Sequence, residues 1–206
     1  MIQTKIDNFI KELSKIESNS SSTNLYYGDT EIASIRRNNL RTFLYKVASS
    51  NCKLLLLGEA PGHRGCGKTG IPFTCEYNIV NHPFFANSNF QTLNDKEHLE
   101  RETSAMAIWE KLSEKEIYPL MWNIFPFHPH QEGNINSNRT PKAAEIRLGR
   151  EIAKKLINIF EIETVLCIGR KAEAIRQLKI FKSCEYIIHP ARGKASKFKE
   201  QIDKFL

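Results

Sequence analysis

Residues 54–62 read LLLLGEAPG, an apolar run that ends in glycine, a carboxylate and proline. A short apolar run bounded by a glycine is typical of a strand that is buried on both faces of a parallel sheet. We therefore predict a strand over residues 52–57. Residues 58–92 hold many of the chain's Gly, Pro and Asn residues, which predicts a long loop. A loop of that length in a compact domain is usually functional.

The rest of the chain shows the patterns of several helices and further strands. Apolar residues recur at helical spacing over residues 2–17, and Thr140-Pro141 supplies the N-cap and first-turn residues of a later helix. In the second half, strands and helices alternate, which favours a parallel sheet between two helical layers, an α/β/α sandwich. We expect one domain over residues 1–206, with residues 1–24 as an N-terminal helix and connector. The other predicted helices cover residues 30–49, 96–114, 140–160, 170–178 and 195–205, and the other strands cover residues 118–123, 164–168 and 185–188.

The composition is that of an ordinary globular protein with a moderate positive charge. The chain has 206 residues, 30 Lys and Arg against 23 Asp and Glu, and a formal net charge of +7. This charge favours a polyanionic partner such as nucleic acid only mildly. No apolar run approaches the length of a membrane span and the N-terminus lacks a signal-peptide pattern, so we expect a cytoplasmic protein with no membrane association. The five cysteines show no CxxC spacing, and we expect reduced thiols and no metal site.

Polar or charged groups follow most of the predicted strands. The four segments after the strands are 58–62, 123–126, 169–171 and 189–192, and three of them place polar or charged groups beside glycine or proline. In open α/β sheets, ligands bind beyond the carboxyl ends of the strands. The sequence therefore predicts a ligand site at this edge of the sheet.

Residues 62–69, GHRGCGKT, match the phosphate-loop pattern letter for letter. A phosphate loop needs a strand that ends just before its first glycine and a helix that begins at its Lys-Thr pair. Here the predicted strand ends four residues early, and Pro72 would disrupt the required helix. Nucleotide hydrolysis is therefore the least favoured alternative.

Three short motifs occur in the order and at the strand ends where a known family has them. They are the GEAPG segment with GIPF at residues 70–73, then Asn123, then HPA at residues 189–191. Over residues 52–200 the sequence resembles the uracil-DNA glycosylase superfamily, and most of all its bacterial and archaeal branches whose first motif reads GEAPG. The resemblance implies a four-stranded parallel sheet between helices and an enzyme of base excision repair. The chain lacks the four cysteines of the iron–sulfur branch, so no cofactor is expected.

The resemblance assigns the chemistry of the pocket to three residues. Phe73 would stack under the extruded base, where stacking is worth roughly 1–3 kcal/mol. Asn123 would pair through its amide with a carbonyl and the N–H of uracil. His189 would donate a hydrogen bond to the oxyanion that develops on the departing base. Plainer alternatives are a core role for Phe73, a cap on its own backbone for Asn123 and a turn role for His189. The other expected pocket residues are Gly58, Ala60, Pro61 and Gly62.

The motifs do not identify the residue that activates the water. In the best-known branch an Asp at the third position of the first motif orients the water, and here that position is Ala60. Glu59 is the nearest carboxylate and our candidate base, unless it only bonds loop amides, and Glu76 is the second candidate. The fifth position is a bulky Tyr in the most uracil-selective branch and Gly62 here. We therefore expect a more open pocket that tolerates thymine, 5-substituted uracils or deaminated purines.

Basic residues near the motifs are candidates for binding the DNA backbone. In this family the loop after the third motif inserts a wedge into the duplex, and Arg192 could fill the gap left by the extruded base. Lys197 and Lys199 either bind phosphate or form a solvated helix face. His128 and His130 are interpreted as loop or DNA-facing residues. The residues that we expect to bind DNA are His63, Arg64, Lys68, Arg139, Arg192, Gly193 and Lys194.

The leading interpretation is a monomeric, monofunctional DNA glycosylase whose partner is DNA that contains uracil or another deaminated base. Its proposed catalytic residues are Glu59, Asn123 and His189. The departure at Ala60 motivates an alternative, a catalytically weak protein of the same fold that binds damaged DNA.

Overall fold

The computed structural model describes residues 1–170 and 183–206, and its strands are numbered along the chain. Within these ranges the main sheet has four parallel strands in the order β3-β2-β5-β6. This confirms the α/β/α fold with a four-stranded parallel sheet. Two further short strands pair antiparallel. The main strands are β2 (Leu54–Gly58), β3 (Leu120–Asn123), β5 (Thr164–Ile168) and β6 (Ser183–Ile187), and the short ones are β1 (Ser22–Thr23) and β4 (His128–Pro129).

Helices surround the sheet and complete the core. The apolar residues of the first helix, Ile6, Phe9, Ile10 and Leu13, lie on one buried face, because they recur at helical spacing. Within the described ranges, no helix combines the length and apolar character that a bilayer span requires. The helices are α1 (Ile2–Leu13), α2 (Glu31–Ser49), α3 (Cys66–Thr69), α4 (Glu76–Asn81), α5 (Thr103–Lys115), α6 (Ala143–Phe160) and α7 (Ala195–Ile202), with a 3₁₀ turn at Pro83–Phe85.

Several predicted helix limits are wrong for identifiable local reasons. Helix α1 ends at Leu13 rather than residue 17, because the Asn24 amide donates hydrogen bonds to the carbonyls of Leu13 and Ile16. Helix α6 begins at Ala143 and not at the predicted Thr140 cap. There the Glu145 carboxylate accepts a hydrogen bond from the Lys142 N–H at 2.6 Å and so satisfies the first turn.

The limits of three other elements differ from those predicted, and one predicted helix lies almost entirely outside the described residues. Helix α5 begins at Thr103, seven residues later than predicted, and the last helix ends at Ile202. The last strand covers residues 183–187 rather than 185–188. The helix predicted over residues 170–178 lies, apart from its first residue, outside the described residues.

The register of the sheet places the predicted motifs side by side. In the β2–β3 pair Gly58 lies opposite Asn123, so the first motif and the Asn motif leave the sheet together. The chain stays paired one step further, since Ile124 N–H donates to the Gly58 carbonyl at 2.9 Å. Strand β6 ends at Ile187, two residues before His189. The carboxyl edge of the sheet is therefore where all three motifs meet.

Candidate active site

A cavity of about 720 Å³ opens at the carboxyl edge of the sheet. Its volume is in the range of small-molecule and cofactor sites in proteins. Its walls come from the loops after β2, β3, β5 and β6, as expected for a doubly covered parallel sheet. Nine residues predicted from the sequence line it: Glu59, Ala60, Pro61, Gly62, Phe73, Asn123, His189, Arg192 and Lys194.

Gly58 allows an amide and an aromatic ring to meet at the floor of the cavity. A Cβ atom at Gly58 would lie 2.5 Å from Asn123 Oδ1 and 2.5 Å from Phe73 Cζ, closer than real Cβ contacts. Asn123 is only 4% exposed, and its amide makes no hydrogen bond with any of the described residues. Because Asn123 lines the cavity, its amide is available to pair with a ligand there. The floor therefore offers one donor and one acceptor beside a ring.

Phe73 is held in an unusual backbone conformation. Its φ is +54°, in the left-handed region that a bulky residue rarely adopts. The buried Trp109 fixes this turn, because its indole N–H donates to the Phe73 carbonyl at 3.1 Å and to Thr74 Oγ1 at 3.0 Å. Strained residues of this kind persist where the surrounding structure holds them and often lie at functional sites. The ring is thus fixed in place before any ligand enters.

We expect the substitution Gly58→Ala to disable the site while the sheet still forms. The new methyl group would push Asn123 and Phe73 apart, and small displacements of positioned groups cost about 10²-fold in rate. The check is the rate of any reaction of the site, with circular dichroism as a control for folding. Gly133→Ala is the control variant, since its added Cβ would meet none of the described residues within 4 Å, although Gly133, unlike Gly58, has a positive φ of +74°. A Gly58→Ala protein with an unchanged rate would contradict this account of the floor.

His189 is arranged as a neutral hydrogen-bond donor. The Ala191 N–H donates to His189 Nδ1 at 3.2 Å, so in the neutral ring the proton lies on Nε2. Burial lowers the pKa of His189 below its ordinary value, which favours this neutral form at neutral pH. The ring packs on Gly169, since a Cβ atom added at Gly169 would lie 3.3 Å from the Cβ atom of His189. The residue can donate a hydrogen bond without carrying a positive charge.

The two candidate carboxylates have different positions. Glu59 follows β2 directly, is half-buried and lines the cavity. Glu76 is fully buried at the start of α4 and does not line it. Its carboxylate accepts hydrogen bonds from the N–H groups of Leu93, Asn94 and Glu100 and from the Asn94 amide, at 2.8–3.2 Å. These bonds attach a loop to α4, so Glu76 is a structural residue, and its choice as second candidate base was wrong.

The basic residues divide into cavity residues and structural ones. Arg192 and Lys194 are exposed at the cavity mouth, and Gly193 between them has a φ of +74°. Arg64 is exposed and Lys68 half-buried, and neither lines the cavity. Lys197 is exposed on α7, which agrees with one of its two predicted roles, that of a residue on a solvated helix face.

Two residues that were candidates for binding phosphate form ion pairs with glutamates of the same chain. Arg139 pairs with Glu145 at 2.6 Å, and its guanidinium also donates to the carbonyls of Ser21 and His130. It joins β1, β4 and α6, so its interpretation as a DNA-binding residue is not supported by its contacts. Lys199 pairs with Glu110 at 2.6 Å and joins α7 to α5.

The histidines after β3 are buried rather than DNA-facing. His128 is 2% exposed, and its ring nitrogens lie 2.9 Å from the Pro61 carbonyl and 2.8 Å from the Ile135 carbonyl. It therefore supports the first-motif loop from behind. His130 is 5% exposed and lies 3.0 Å from Thr23 Oγ1. Their interpretation as DNA-facing was wrong, whereas His63 lies at the surface and its N–H donates to Asn138 Oδ1 at 3.3 Å.

The cavity also contains residues that the sequence did not single out. Glu102 and Asn138 come from segments without a motif, so only the fold brings them to the site. Cys66 lies within the phosphate-loop match, and its thiol is buried with a raised pKa, which makes it unreactive. Tyr186 and Ile188 are further lining residues without a signal in the sequence. Gly169 and Arg170 also line the cavity, and both lie in the segment 169–171 that was predicted at this edge of the sheet.

The phosphate-loop match does not fold as a phosphate loop. Its helix α3 has only four residues, Cys66–Thr69, and ends at Gly70 with a φ of +74°. Tyr26 holds that turn by donating to the Gly70 carbonyl at 2.8 Å. Among residues 1–170 and 183–206, no group of three or more His, Cys, Asp or Glu is placed to hold a metal ion. The geometry thus gives no support to the nucleotide-hydrolysis alternative.

Comparisons with known proteins identify a family and solved structures of similar fold. The family model described as "Uracil DNA glycosylase superfamily" matches residues 45–205 of this chain. Among solved structures, the fold is similar to the crystal structure of wild-type SMUG2 from Pedobacter heparinus. That similarity has a TM-score of 0.69 and 22% sequence identity, and it covers 99% of this chain and 94% of the other. No curated protein matches the sequence.

Proposed function

The chain belongs to the uracil DNA glycosylase superfamily, and we propose that it hydrolyses the N-glycosidic bond of uracil or a related deaminated base in DNA. The observation that carries the proposal is the convergence of Phe73, Asn123 and His189 on one cavity. An aromatic face, an amide that is unpaired among the described residues and a neutral imidazole donor suit a planar base with carbonyl groups. We further propose that it acts as a monomer in base excision repair, because the described chain builds all these walls by itself.

Capture of the base relies on groups that are already in position. Extruding a nucleotide costs a few kcal/mol, and stacking on the fixed Phe73 ring repays roughly 1–3 kcal/mol. The Asn123 amide donates to one carbonyl of uracil and accepts from the neighbouring N–H. Because Gly58 has no side chain, ring and amide contact the same base. This pairing selects uracil over cytosine, whose ring nitrogen at that position carries no proton.

Bond cleavage follows from the charge that the cavity stabilises. As the C1′–N1 bond breaks, its electron pair moves to the base, and His189 Nε2–H donates to the carbonyl oxygen that becomes negative. The sugar becomes positively charged and is attacked by water. Glu59 orients that water and accepts its proton, while the water oxygen forms the new bond to C1′. The products are an abasic site and the base, which leaves as an anion and takes up a proton from solvent, while Glu59 returns the proton of the water to solvent.

The wall at Gly62 sets a broad substrate range. A Cβ atom there would meet only Asn138 Oδ1, at 3.9 Å, so the cavity is open on this side. In the most uracil-selective branch of the family, a bulky side chain at this position excludes the thymine methyl. We therefore propose activity on thymine in mismatches, 5-substituted uracils or deaminated purines in addition to uracil.

The proposal is tested by incubating the protein with oligonucleotides that contain uracil, a thymine mismatch or hypoxanthine, without metal or nucleotide. Abasic sites are then cleaved with alkali, and strand breaks at the lesion are expected. Binding without breaks on every substrate would instead support the alternative of a catalytically weak DNA-binding protein, which the Ala60 departure motivates. Magnesium-dependent ATP hydrolysis that is lost on Lys68→Ala would support the phosphate-loop alternative.

We expect the substitution Arg192→Gln to weaken DNA binding in a salt-dependent way. Arg192 lies exposed at the cavity mouth, so removing its charge removes about one phosphate contact. The slope of log affinity against log salt should then become shallower by about 1. Lys11→Ala, an exposed charge on α1, is the matched control and should leave the slope unchanged. Equal effects of the two variants would contradict the proposed DNA-binding face.

A further inference from the structure

A second carboxyl group, that of Glu102, lines the same cavity as Glu59. It lies against Gly65, where a Cβ atom would collide with Glu102 Oε2, and the same Cβ would be 3.7 Å from the Thr74 carbonyl. Glu102 thus lies against Gly65, in the loop after the first motif, and near the residue that follows Phe73. The reaction proposed above gives this group no role.

The surroundings of Glu102 favour its uncharged form. Burial raises the pKa of Glu102, and the hydrogen bond from Ser104 only partly opposes this. The neighbouring Cys66 thiol is also uncharged, because burial raises its pKa as well. An uncharged carboxyl group has one donor and one acceptor, as the Asn123 amide does.

Uracil offers this carboxyl group no hydrogen-bond partner in addition to Ser104. Its polar groups are two carbonyls and one N–H, and the proposed contacts of Asn123 and His189 account for all three. The remaining edge of the ring carries only C–H groups. A buried polar group that faces C–H loses its hydrogen bonds to water and gains none. Larger bases differ, since a purine has the acceptor N7 on this side and some 5-substituted uracils have a hydroxyl there.

We propose that Glu102 determines specificity by hydrogen-bonding a polar group that an extruded base carries on the side of the uracil C5–H edge. The inference rests on the proposed function and deepens it. It predicts that hypoxanthine and 5-hydroxymethyluracil depend on Glu102 and that uracil does not. Glu102 lies on this side of the cavity, because the turn at Gly65 that it contacts folds back on Gly62, whose carbonyl accepts a hydrogen bond from the Gly67 N–H at 2.8 Å. The open wall at Gly62 leaves room for such groups.

The test compares single-turnover rates of Glu102→Ala and Glu102→Gln on oligonucleotides with uracil, hypoxanthine or 5-hydroxymethyluracil. Loss of one hydrogen bond should slow Glu102→Ala about tenfold on the two larger bases. Its rate on uracil should stay within about twofold. Glu102→Gln keeps a donor and an acceptor and should retain all three activities. A slower rate on hypoxanthine alone would show that Glu102 donates to N7. A slower rate on 5-hydroxymethyluracil alone would show that Glu102 bonds to the hydroxyl. Either result supports the proposal.

Two further variants separate specificity from stability. Gly65→Ala should displace the carboxyl group and reproduce the selectivity of Glu102→Ala, whereas Ser104→Ala should leave the rate ratios unchanged. Equal losses on all three bases, or no loss on the larger ones, would overturn the inference. So would a wild-type protein that cleaves uracil alone, and this result would leave the proposed function standing. A wild-type protein that cleaves none of the bases would overturn both.

Discussion

Replacing His189 by alanine is expected to lower the rate of base excision by about 10²–10³-fold, the usual cost of losing one oxyanion donor. The effect should fall on the chemical step, because the hydrogen bond strengthens only as charge develops on the departing base. Single-turnover kinetics on a uracil-containing duplex measure this step directly. The affinity for the same duplex, measured by fluorescence anisotropy, should change by less than about twofold.

The control for His189→Ala is a second histidine beside the cavity, one to which the proposed mechanism gives no role. His63 lies at the surface of the first loop and contacts Asn138. His63→Ala should therefore keep most of the excision rate. If both variants lose activity equally, or if His189→Ala loses DNA affinity rather than rate, the proposed role of the Nε2–H donor is wrong.

Replacing Asn123 by alanine is the second change with a large expected effect, a loss of about 10²-fold on uracil. Two hydrogen bonds to the base disappear, and the Phe73 ring loses the neighbour that lies with it over Gly58. The loss is measured as kcat/KM on uracil-containing DNA. Because the amide makes no hydrogen bond with the described residues, the variant should not lose stability, and its melting temperature should stay within a few degrees.

The matched control for Asn123→Ala is Asn136→Ala in the exposed loop after β4. It should leave both kcat/KM and the melting temperature unchanged. An Asn123→Ala protein that unfolds at a much lower temperature would show that the amide stabilises the fold, contrary to the proposed role in base recognition.

The central strand and the motif residues at its end could be predicted from the sequence. Four leucines before Gly58 can only be buried, and parallel strands bring their carboxyl ends to one edge. For this reason Asn123 and His189 lie in the cavity with the first motif, as expected. The need for glycine at position 58 is clear only from the structure, which shows the two side chains that meet above it.

The roles of several polar residues could not be predicted, because the same residue type serves both chemistry and structure. Glu76 and Arg139 had plausible charges near the motifs, yet each is satisfied by partners distant in sequence. His128 follows a predicted strand as His189 does, but its ring is enclosed by two backbone carbonyls. Glu102 has no local signal at all, since it faces the cavity only because α5 begins beside the Phe73 loop.

The central claim is that the cavity releases an intact base from DNA, and its most direct test is to detect that base. The wild-type protein is incubated with a uracil-containing oligonucleotide at neutral pH without metal, and the small-molecule fraction is separated by chromatography. The account predicts free uracil in an amount equal to the abasic sites formed, no strand cleavage before alkali, and almost none of either from His189→Ala. Abasic sites without free base, or strand cleavage without alkali, would contradict simple hydrolysis of the glycosidic bond. The absence of released base from uracil, hypoxanthine and thymine-mismatch DNA alike would contradict the whole account.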